Sequence, residues 1–507
     1  MPFSIPLTGL ASNDAVPGNY LEINFAQGAG SLGTATYAIL LIGNKSAAGD
    51  ATPDTLIYGP GANSPTPLAT VTDAINRFGQ GSELHRMFRR IIAFNTATPI
   101  YAIAAAESAG AAATLAIVFA TNAAVNGSVR YYMGDEFVDT AVTAGDTPTV
   151  IAANVALSIS TKLDWAATAS SAIGTLTVTA KNKGPRGNWL RGSAVVVGTN
   201  VATSSSVSTQ TFFTGGTTAD SNVTALATAL PFRFYYVVSA AEDATQYGAV
   251  AAQINTQALP TTGIRGRCVA ASVDTAGNVT TIATTLNNPR AEVVWMQNGD
   301  WTPSELAANA AAVYALAEVP LSFRCNFSGY GNVPGDGATW KVPAPRSGTA
   351  PTRATIKAAL NNGITPIGVN ANGSTYLVKR ITTKSLTGAN NDYRIRDSHK
   401  VTVCDRYGDD LLNKFGLQFT GKNVADDPPI GGRPLAPNVV SPRIVRAAAN
   451  KQTQDYGDLG LAQNVPAIQA GTIVIRETSP VTRISCRIPM QTIDILDQIA
   501  TALDQTA

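Results

Sequence analysis

The sequence is poor in charged residues, in histidine and in cysteine. Charged residues make up 14% of its 507 residues, whereas soluble domains usually carry about 25%. Its two histidines, His85 and His399, leave few groups for acid–base chemistry or metal binding. The cysteines are far apart without metal-ligand spacing, which fits reduced and partly buried thiols: Cys268, Cys325, Cys404 and Cys486. We therefore expect no metal site, no cofactor and no enzyme.

Long hydrophobic segments are also missing. The first ten residues, MPFSIPLTGL, contain no basic stretch followed by an apolar core, so they do not resemble a signal peptide. The longest weakly polar stretch, Ala109–Ala120, is bounded by Glu107 and Asn122. It is too short to cross a bilayer, which takes about 20 apolar residues. We expect no membrane insertion.

The few charges are unevenly distributed along the chain. The net charge is only +2, which argues against a dedicated nucleic-acid-binding protein. Residues 1–340 carry 16 basic and 21 acidic residues, and residues 341–507 carry 20 and 13. An acidic first part and a basic last part would suit head-to-tail stacking of copies, although ordinary variation between domains explains the difference equally well. A surface with few charges also favours burial against neighbouring subunits.

The length predicts several domains, and the character of the sequence changes where they meet. Helical patterns and apolar runs alternate on both sides of a long stretch rich in Ala, Thr, Ser and Val. We predict a mixed α/β and α+β multidomain fold: an α/β core, a β-rich inserted domain, a small α+β C-terminal domain and extended terminal arms. The predicted units are an N-terminal arm at 1–35, the core at 36–105 and 216–330, the inserted domain at 106–215, the C-terminal domain at 345–470, and the C-terminal strands and arm at 471–507.

Strong local signals place several elements of the core. Continuous apolar runs predict buried strands of a parallel sheet with both faces covered. Thr302 followed by proline and Glu305 is a helix-start pattern, so we expect a helix at Pro303–Ala317. The other strands predicted for the core are Thr36–Ile42, Pro99–Ala105, Arg233–Ser239, Arg267–Ser272 and Glu292–Gln297. The other helices are Thr70–Gly79, Glu83–Ile92, Asp243–Gln257 and Val279–Leu286.

A glycine motif near the N-terminus has the spacing of a nucleotide-binding motif. Gly28, Gly30 and Gly33 have the G-x-G-x-x-G spacing directly after a predicted strand. A dinucleotide site requires a helix next, because the helix amides hold the pyrophosphate. The sequence continues instead as TATYAILLIG, a strand pattern. We predict that the three glycines form a hinge between an N-terminal arm and the core.

Two further clusters carry chemically active groups. His399 lies five residues before Cys404, and the two could form a nucleophile site. Five residues is a poor spacing for facing groups on a helix, so a partly exposed helix is the favoured interpretation. The glycine-rich turn Lys183–Asn188 carries basic residues and could cradle an anion. A tight loop that positions its neighbours is the favoured alternative.

Short strands are predicted close to both ends of the sequence. Residues 19–26 (NYLEINFA) alternate, and such a lone strand needs a partner sheet in its own chain or in a neighbour. Near the other end, Thr472–Glu477 and Thr482–Pro489 are short β-type runs. The residues that we assign to strands between subunits are Tyr20, Leu21, Glu22, Ile23, Asn24 and Phe25 in the first, and Arg483, Ile484, Ser485, Cys486, Arg487 and Ile488 in the second.

The order of several short motifs resembles the tail sheath proteins of Mu-like contractile-tailed phages. Phe3–Pro6 (FSIP) and Val16–Ile23 (VPGNYLEI) are similar to that family's N-terminal arm, except for a valine where a basic residue is common. Gly184–Asn188 matches the family's interior G-x-x-G-N loop. Leu377–Thr383 (LVKRITT), followed by Asn391–Ile395 (NDYRI), resembles its R-x-I-T-T segment. The resemblance rests on the order of these motifs over most of the chain.

The resemblance implies a structural role in a virion tail. Sheath subunits form stacked hexameric rings around an inner tube, and their terminal arms add strands to the sheets of adjacent subunits. The subunits then rotate largely as rigid bodies, which shortens the lattice and drives the tube through the host envelope. We expect the basic C-terminal unit to face the tube and the inserted domain to face outward.

The resemblance also implies partners and a location. The implied partners are further copies of this chain, a tail tube protein, and baseplate and tail terminator proteins, without direct contact to nucleic acid. The implied location is the virion tail, and the host cytoplasm before assembly. Two alternatives stay open: a self-assembling virion protein that does not contract, and a cytoplasmic α/β enzyme that uses His399 and Cys404.

Overall fold

The computed structural model describes residues 21, 37–58, 65–198, 205–229, 232–240, 243–317, 342–388, 390–392, 394–429 and 432–494. Within these residues the chain forms one large sheet flanked by helices, several small sheets and a C-terminal group of helices. The predicted mixed α/β multidomain fold is confirmed. The exact domain boundaries remain predictions.

The strands and helices are numbered in chain order. The described strands are β1 (Ile39–Gly43), β2 (Ile100–Ala104), β3 (Ala112–Val118), β4 (Gly127–Met133), β5 (Glu136–Val142), β6 (Ala167–Ala172), β7 (Thr175–Lys183), β8 (Arg191–Val197), β9 (Thr211–Phe212), β10 (Tyr236–Ser239), β11 (Arg267–Ser272), β12 (Ala291–Trp295), β13 (Thr365–Val369), β14 (Thr375–Leu377), β15 (Leu386–Thr387), β16 (Asn390–Asn391), β17 (Asn423–Val424), β18 (Val439–Val440), β19 (Ile473–Arg476) and β20 (Ile484–Arg487). The described helices are α1 (Val71–Phe78), α2 (Glu83–Ile92), α3 (Pro148–Ser160), α4 (Asn222–Thr228), α5 (Ala244–Gln257), α6 (Ala276–Leu286), α7 (Pro303–Ala317), α8 (Arg353–Asn361), α9 (Ser398–Phe419), α10 (Pro442–Asp458) and α11 (Val465–Gly471), with a short 3-10 helix at Pro185–Trp189.

Seven strands form the central sheet in the order β14-β13-β12-β11-β10-β1-β2. Neighbouring strands run parallel except for β14, which forms an antiparallel hairpin with β13 at one edge. Ile39 and Leu41 of β1 pack with α1, α2 and α7 on one face, and Leu40 and Ile42 pack with α4 and α5 on the other. This explains the uninterrupted apolar run of β1, because both faces of the strand are buried. Strands β13 and β14 come from the stretch assigned to the C-terminal domain, so that stretch contributes to the central sheet.

Helices of the core begin at side-chain caps. The Ser82 hydroxyl accepts a hydrogen bond from the His85 amide at the start of α2. At the start of α7, the Glu305 carboxylate accepts from the amide and the hydroxyl of Thr302, at 3.1 and 3.0 Å. The predicted bounds of α2 and α7 are confirmed to the residue.

Between β2 and β10 the chain forms a separate β-rich body. Its strands make the sheets β3-β7-β6 and β5-β4-β8-β9, which pack with α3 around a core that includes Tyr131 and Trp165. The chain enters and leaves this body side by side. The Ser108 amide donates to the Asp220 carboxylate at 2.5 Å, and the Ser108 hydroxyl donates to the Thr218 carbonyl at 2.7 Å.

Buried ion pairs fasten this inserted body to the core. Arg186 of the glycine-rich turn pairs with Glu83 at the start of α2 and lies 2.9 Å from the Asp220 carboxylate. Arg191 of β8 lies 3.1 Å from the Asp300 carboxylate in the core. Because a buried charge is tolerated only when it is paired, these contacts fix the inserted body against the core.

The last described part of the chain is a helical unit. Helices α9, α10 and α11 pack with the hairpin β19–β20 around Tyr407, Ala449 and Tyr456. The elements predicted from the sequence did not include α10, although Ser441 and Pro442 form a helix-start pattern.

An arginine network joins α9 to the central sheet. Asp405 of α9 accepts two hydrogen bonds of 2.7 Å from Arg290, which lies just before β12. Glu292 of β12 accepts from Arg380 at 2.8 and 2.9 Å and also pairs with Arg267 of β11. All five side chains are buried. The helical unit is therefore fixed to the sheet by charges that water does not reach.

Candidate assembly site at the C-terminal hairpin

The C-terminal hairpin is formed by β19 and β20. The two strands run antiparallel, in a register that pairs Val474 with Cys486. The Glu477 amide extends the pairing by donating to the Arg483 carbonyl at 2.8 Å. The site residues predicted at Arg483–Ile488 thus lie on or beside β20, whose partner strand belongs to the same chain. Strand β19 lies in the predicted β-type run Thr472–Glu477, which is not among the site residues that the sequence predicts.

One side of the hairpin is held by the helical unit. Cys486 and Ile488 pack against the cluster that contains Tyr407 and Tyr456, and β19 lies against α10. Burial raises the pKa of the Cys486 thiol to about 12, so the group packs as a neutral, weakly polar side chain. The hairpin is therefore anchored to the body of the subunit.

Both outer edges of the hairpin are open within the part of the chain that the structure describes. The sheet there consists of β19 and β20 alone, so each strand turns one row of backbone amides and carbonyls away from its partner. The strands, with sequences IVIR and ISCR, contain one arginine each and no proline. They consequently carry few of the features that block pairing with a further strand. Neither strand therefore pairs with a third strand among the described residues.

Most of the predicted N-terminal site lies outside the described residues. Of its six strand residues Leu21 alone is described, and the others are Tyr20, Glu22, Ile23, Asn24 and Phe25. The predicted hinge residues Gly28, Gly30 and Gly33 also lie outside the described part, as does Cys325. The assignment of both terminal strands to contacts between subunits stays a prediction.

His399 does not form a nucleophile pair with Cys404. Its Nε2 lies 3.1 Å from the Ile493 carbonyl oxygen, and its Nδ1 is buried without a hydrogen-bond partner. Burial lowers the pKa of His399, which favours a neutral ring whose Nε2–H donates to that carbonyl. Since neither ring nitrogen bonds the thiol, the ring is not placed to take up its proton.

The second histidine is also buried in a structural setting. The Nδ1 of His85 accepts a hydrogen bond from the Gly81 amide at 3.1 Å, and burial lowers the pKa of the ring to about 4.

Among the described residues, no group of three His, Cys, Asp or Glu side chains is arranged to hold a metal ion. None of the described helices has the length and apolar character needed to cross a membrane.

The glycine-rich turn at Lys183–Asn188 holds its arginine inside the protein. Arg186 is buried and paired with two carboxylates, as described above. A Cβ at Gly187 would lie 3.0 Å from the Ala113 Cβ and 3.1 Å from the Ala180 Cβ, closer than side chains normally pack. The turn therefore packs closely against β3 and β7 within the inserted body, and its arginine reaches Glu83 of the core, which agrees with the structural interpretation of its sequence.

Comparison with known proteins links the chain to tail sheaths. No family model matches the sequence. The Mu-like prophage FluMu tail sheath protein of Haemophilus influenzae is 28% identical over 186 residues. The match covers 36% of this chain and 36% of that relative, so the chain spans about a third of the length of the curated relative that it matches.

Solved sheath structures also align with most of the chain. The sheath tail protein from Desulfitobacterium hafniense gives a TM-score of 0.45 at 13% identity, covering 94% of this chain and 100% of that chain. The sheath of an extracellular contractile injection system in its contracted state gives 0.45 at 13% identity, covering 97% and 98%. Both TM-scores lie below 0.5, so the functional proposal does not depend on these two structures.

Proposed function

We propose that this chain is the structural subunit of a contractile phage tail sheath. The observation that carries the proposal is the C-terminal hairpin, which is anchored on one side and whose strands pair with no third strand among the described residues. A subunit that links to its neighbours by strand addition needs such an acceptor. The similarity to a prophage tail sheath protein supports the same function.

Strand addition suits a lattice that must rearrange without coming apart. An added strand pairs its backbone groups with the open edge, and these bonds do not depend on the side chains of the surfaces between subunits. We assign the N-terminal strand at Tyr20–Phe25 to an edge of a neighbour's hairpin, and Gly28, Gly30 and Gly33 to the hinge that lets it reach there. The strand at Arg483–Ile488 takes part as half of the acceptor. Because such head-to-tail contacts between subunits need not close into a ring, they can build a helical array.

The interior of the subunit suits movement as a rigid body. The ion pair between Arg290 and Asp405 and its neighbouring pairs join the sheet to the helical unit that bears the hairpin. A rotation of the sheet is therefore transmitted to the hairpin. In the proposed assembly, the subunits form stacked hexameric rings around a tail tube protein. A baseplate lies at one end of the sheath and a terminator at the other. Energy stored at assembly drives contraction, without a cofactor or an enzymatic step.

Electron microscopy of the purified, concentrated protein tests the proposal. Long hollow tubes with the width of a contracted sheath are the expected result. Shells or thin fibres would favour the alternative of a virion protein that does not contract. Turnover that is abolished by Cys404→Ala while assembly stays intact would favour the enzyme alternative.

A deletion tests the role of the N-terminal strand. Removal of residues 1–26 should leave a folded, soluble subunit that no longer polymerises, because the hairpin edge loses its incoming strand. Circular dichroism and thermal unfolding check that the shortened chain is folded. Polymers of normal length from this variant would show that the assignment of the N-terminal strand is wrong.

A further inference from the structure

Helix α8 presents a basic face beside the β13–β14 end of the central sheet. The helix packs against β13 and α6, and Ala359 is buried in that contact. Arg353 and Lys357 are four residues apart, so they lie on the same side of the helix, and both are exposed. Neither has an acidic partner among the described residues, and the neighbouring α6 contains no charged residue. The described part of the chain therefore leaves this basic face unpaired.

Lys384 adds a third cation close to the end of α8. Gly363 follows the helix, and a Cβ on it would lie 2.7–2.9 Å from atoms of the Thr383 backbone. The Lys384 ammonium donates to the Leu386 carbonyl, a contact that does not neutralise its charge. Residues 341–400 carry ten basic and two acidic residues in all. The basic excess of the last third of the sequence therefore falls in the stretch that contains α8.

The opposite end of the central sheet is bordered by the chain that precedes α1. The Asp54 amide donates to the Ala104 carbonyl at 2.7 Å, and the Leu68 amide donates to the Ile100 carbonyl at 2.8 Å. Both acceptors belong to β2, whose other side pairs with β1. Asp54 and Leu68 consequently lie on the outer side of this edge strand.

Three aspartates give this end of the sheet a negative charge, and the sequence around them, at 46–76, has no basic residue. Asp50 and Asp73 share Arg77, whose nitrogens lie 3.5 and 3.6 Å from their carboxylates. Asp54 has no ion pair among the described residues. One arginine thus faces three carboxylates, and the surface that they form, the acidic edge, keeps a negative charge.

The basic face and the acidic edge cannot meet within one copy. Seven strands at a spacing of about 4.8 Å place the two ends of the sheet about 29 Å apart. Contact between the two surfaces therefore requires a second copy. Because the surfaces differ, the contact is head-to-tail, and a pair of copies keeps one free surface of each kind to which further copies can add.

We propose that the basic face of α8 binds the acidic edge of a second copy of this chain. Opposite charges attract the two surfaces, and like charges repel every pairing of a surface with its own kind, which determines the sides on which two copies meet. The uncharged helix α6 beside the basic face supports the proposal, because charged residues are depleted at the centres of protein interfaces. This inference rests on the proposed sheath function, because it assumes that copies assemble side by side.

Charge reversal on each surface of the full chain tests the inference. The variant Arg353→Glu/Lys357→Glu makes both surfaces acidic. The variant Asp50→Lys/Asp73→Lys makes both surfaces basic. Either variant alone should raise the critical concentration for polymerisation, measured by sedimentation at low salt, by about tenfold or more, because attraction is replaced by repulsion. An equimolar mixture of the two variants should assemble close to the wild-type concentration, because an alternating array joins opposite charges at every contact.

Two further variants serve as controls. Lys422→Glu/Lys451→Glu makes the same change in net charge at exposed lysines of the C-terminal helical unit, and it should polymerise like the wild type. Arg353→Gln/Lys357→Gln removes the charges of α8 without adding repulsion, so its effect should have the same direction and be smaller. Circular dichroism and thermal unfolding check that each variant is folded.

The outcomes separate the inference from the function on which it rests. Polymerisation of either reversal variant at the wild-type concentration would overturn the inference and leave the sheath function in place. Equal impairment of the lysine control, or folded reversal variants that do not recover when mixed, would overturn it as well. Should a reversal variant fail to fold, an unchanged critical concentration of the glutamine variant would overturn the inference, and a raised one would support it. A wild-type protein that forms no tubes at all would overturn the sheath function, and the inference with it.

Discussion

Arg290 and Asp405 face each other as a two-point ion pair, with 2.7 Å between each guanidinium nitrogen and the carboxylate oxygen that it bonds. Arg290 lies beside the central sheet and Asp405 lies on α9, so the pair bridges two parts of the fold that are 115 residues apart in sequence. Both side chains are buried. Two parallel hydrogen bonds fix the angle of the helix as well as its distance from the sheet.

Removal of one partner of this pair should destabilise the protein strongly. Asp405→Ala leaves the guanidinium of Arg290 buried without its counter-ion, which typically costs about 3–5 kcal/mol. The free energy of unfolding, from chemical denaturation monitored by circular dichroism, measures the effect. The exposed pair of Lys451 and Asp455 on α10 provides the control, since Lys451→Ala should cost only about 0.5 kcal/mol. Equal effects of the two substitutions would contradict a structural role for the buried pair.

The buried ring of His85 should make stability depend on pH. Its pKa is about 4 in the folded protein because burial disfavours the charged ring, whereas an unfolded histidine titrates near 6.5. Between these values the unfolded state binds more protons. The contribution of the neutral ring is therefore complete above about pH 6.5 and is lost as the pH falls toward 4, with a slope of at most about 1.4 kcal/mol per pH unit.

The variant His85→Gln separates this contribution from other titrating groups. The stability difference between the wild type and the variant should be constant above pH 7 and should shrink from pH 6.5 down to 4. Urea denaturation at half-unit intervals of pH measures it. A difference that does not vary with pH would show that His85 is accessible to protons in the folded protein.

Asp410 of α9 should have the opposite pH dependence. Burial raises the pKa of its carboxyl to about 6, so the folded state binds the proton more tightly than the unfolded state does. Its contribution to stability is therefore present below the unfolded value of about 3.9 and is lost as the pH rises through 6. Asp410→Asn keeps an acceptor for the Tyr456 hydroxyl, which lies 3.1 Å away. We expect the variant to be more stable than the wild type at pH 7–8 and to lose that advantage at pH 4, as thermal unfolding would report.

The turn between β6 and β7 should tolerate a stabilising substitution. Ala172 pairs with Thr175, and the two residues between them have φ angles of +47° at Ile173 and +76° at Gly174. A two-residue turn with two positive φ angles favours Asn-Gly, and the left-handed conformation costs other L-residues about 1–2 kcal/mol. Ile173 is also 92% exposed, so its side chain contributes little packing within the chain.

Replacement of Ile173 by asparagine should therefore raise the stability by about 1 kcal/mol. The midpoint of thermal unfolding measures the gain. Ile173→Val is the matched control, because valine is also β-branched and keeps the strain. If both variants unfold at the wild-type temperature, the turn is not strained in the way that its φ angles indicate.

The sequence predicted best those elements whose signals are local. The bounds of α2 follow from Ser82 as its cap and from an amphipathic pattern, and β11 follows from an apolar run buried on both faces. Helix α10 and strand β6 were not predicted from the sequence. The first is rich in polar residues and the second, ATASSA, has no apolar alternation, so each depends on tertiary packing that the sequence does not display.

The candidate site was predicted only in part, because its strands have local signals in the sequence whereas their contacts do not. The β-type runs that became β19 and β20 could be found from their residues. Their pairing with each other could not, because a strand pattern does not specify its partner. The contacts of His399 and Lys400 with Ile493 and Asp494 join positions more than 90 residues apart, and no local signal connects them.

The bonds of Ser108 with Thr218 and Asp220 have a practical consequence for engineering. They bring the two ends of the inserted body into contact, so the chain enters and leaves this body at one place rather than at two distant ones. A folded module whose own termini lie close together could be exchanged for it at this place, as domain insertions generally require. If the subunit polymerises as proposed, each copy would display the foreign module once, and the lattice would become a regular scaffold for cargo.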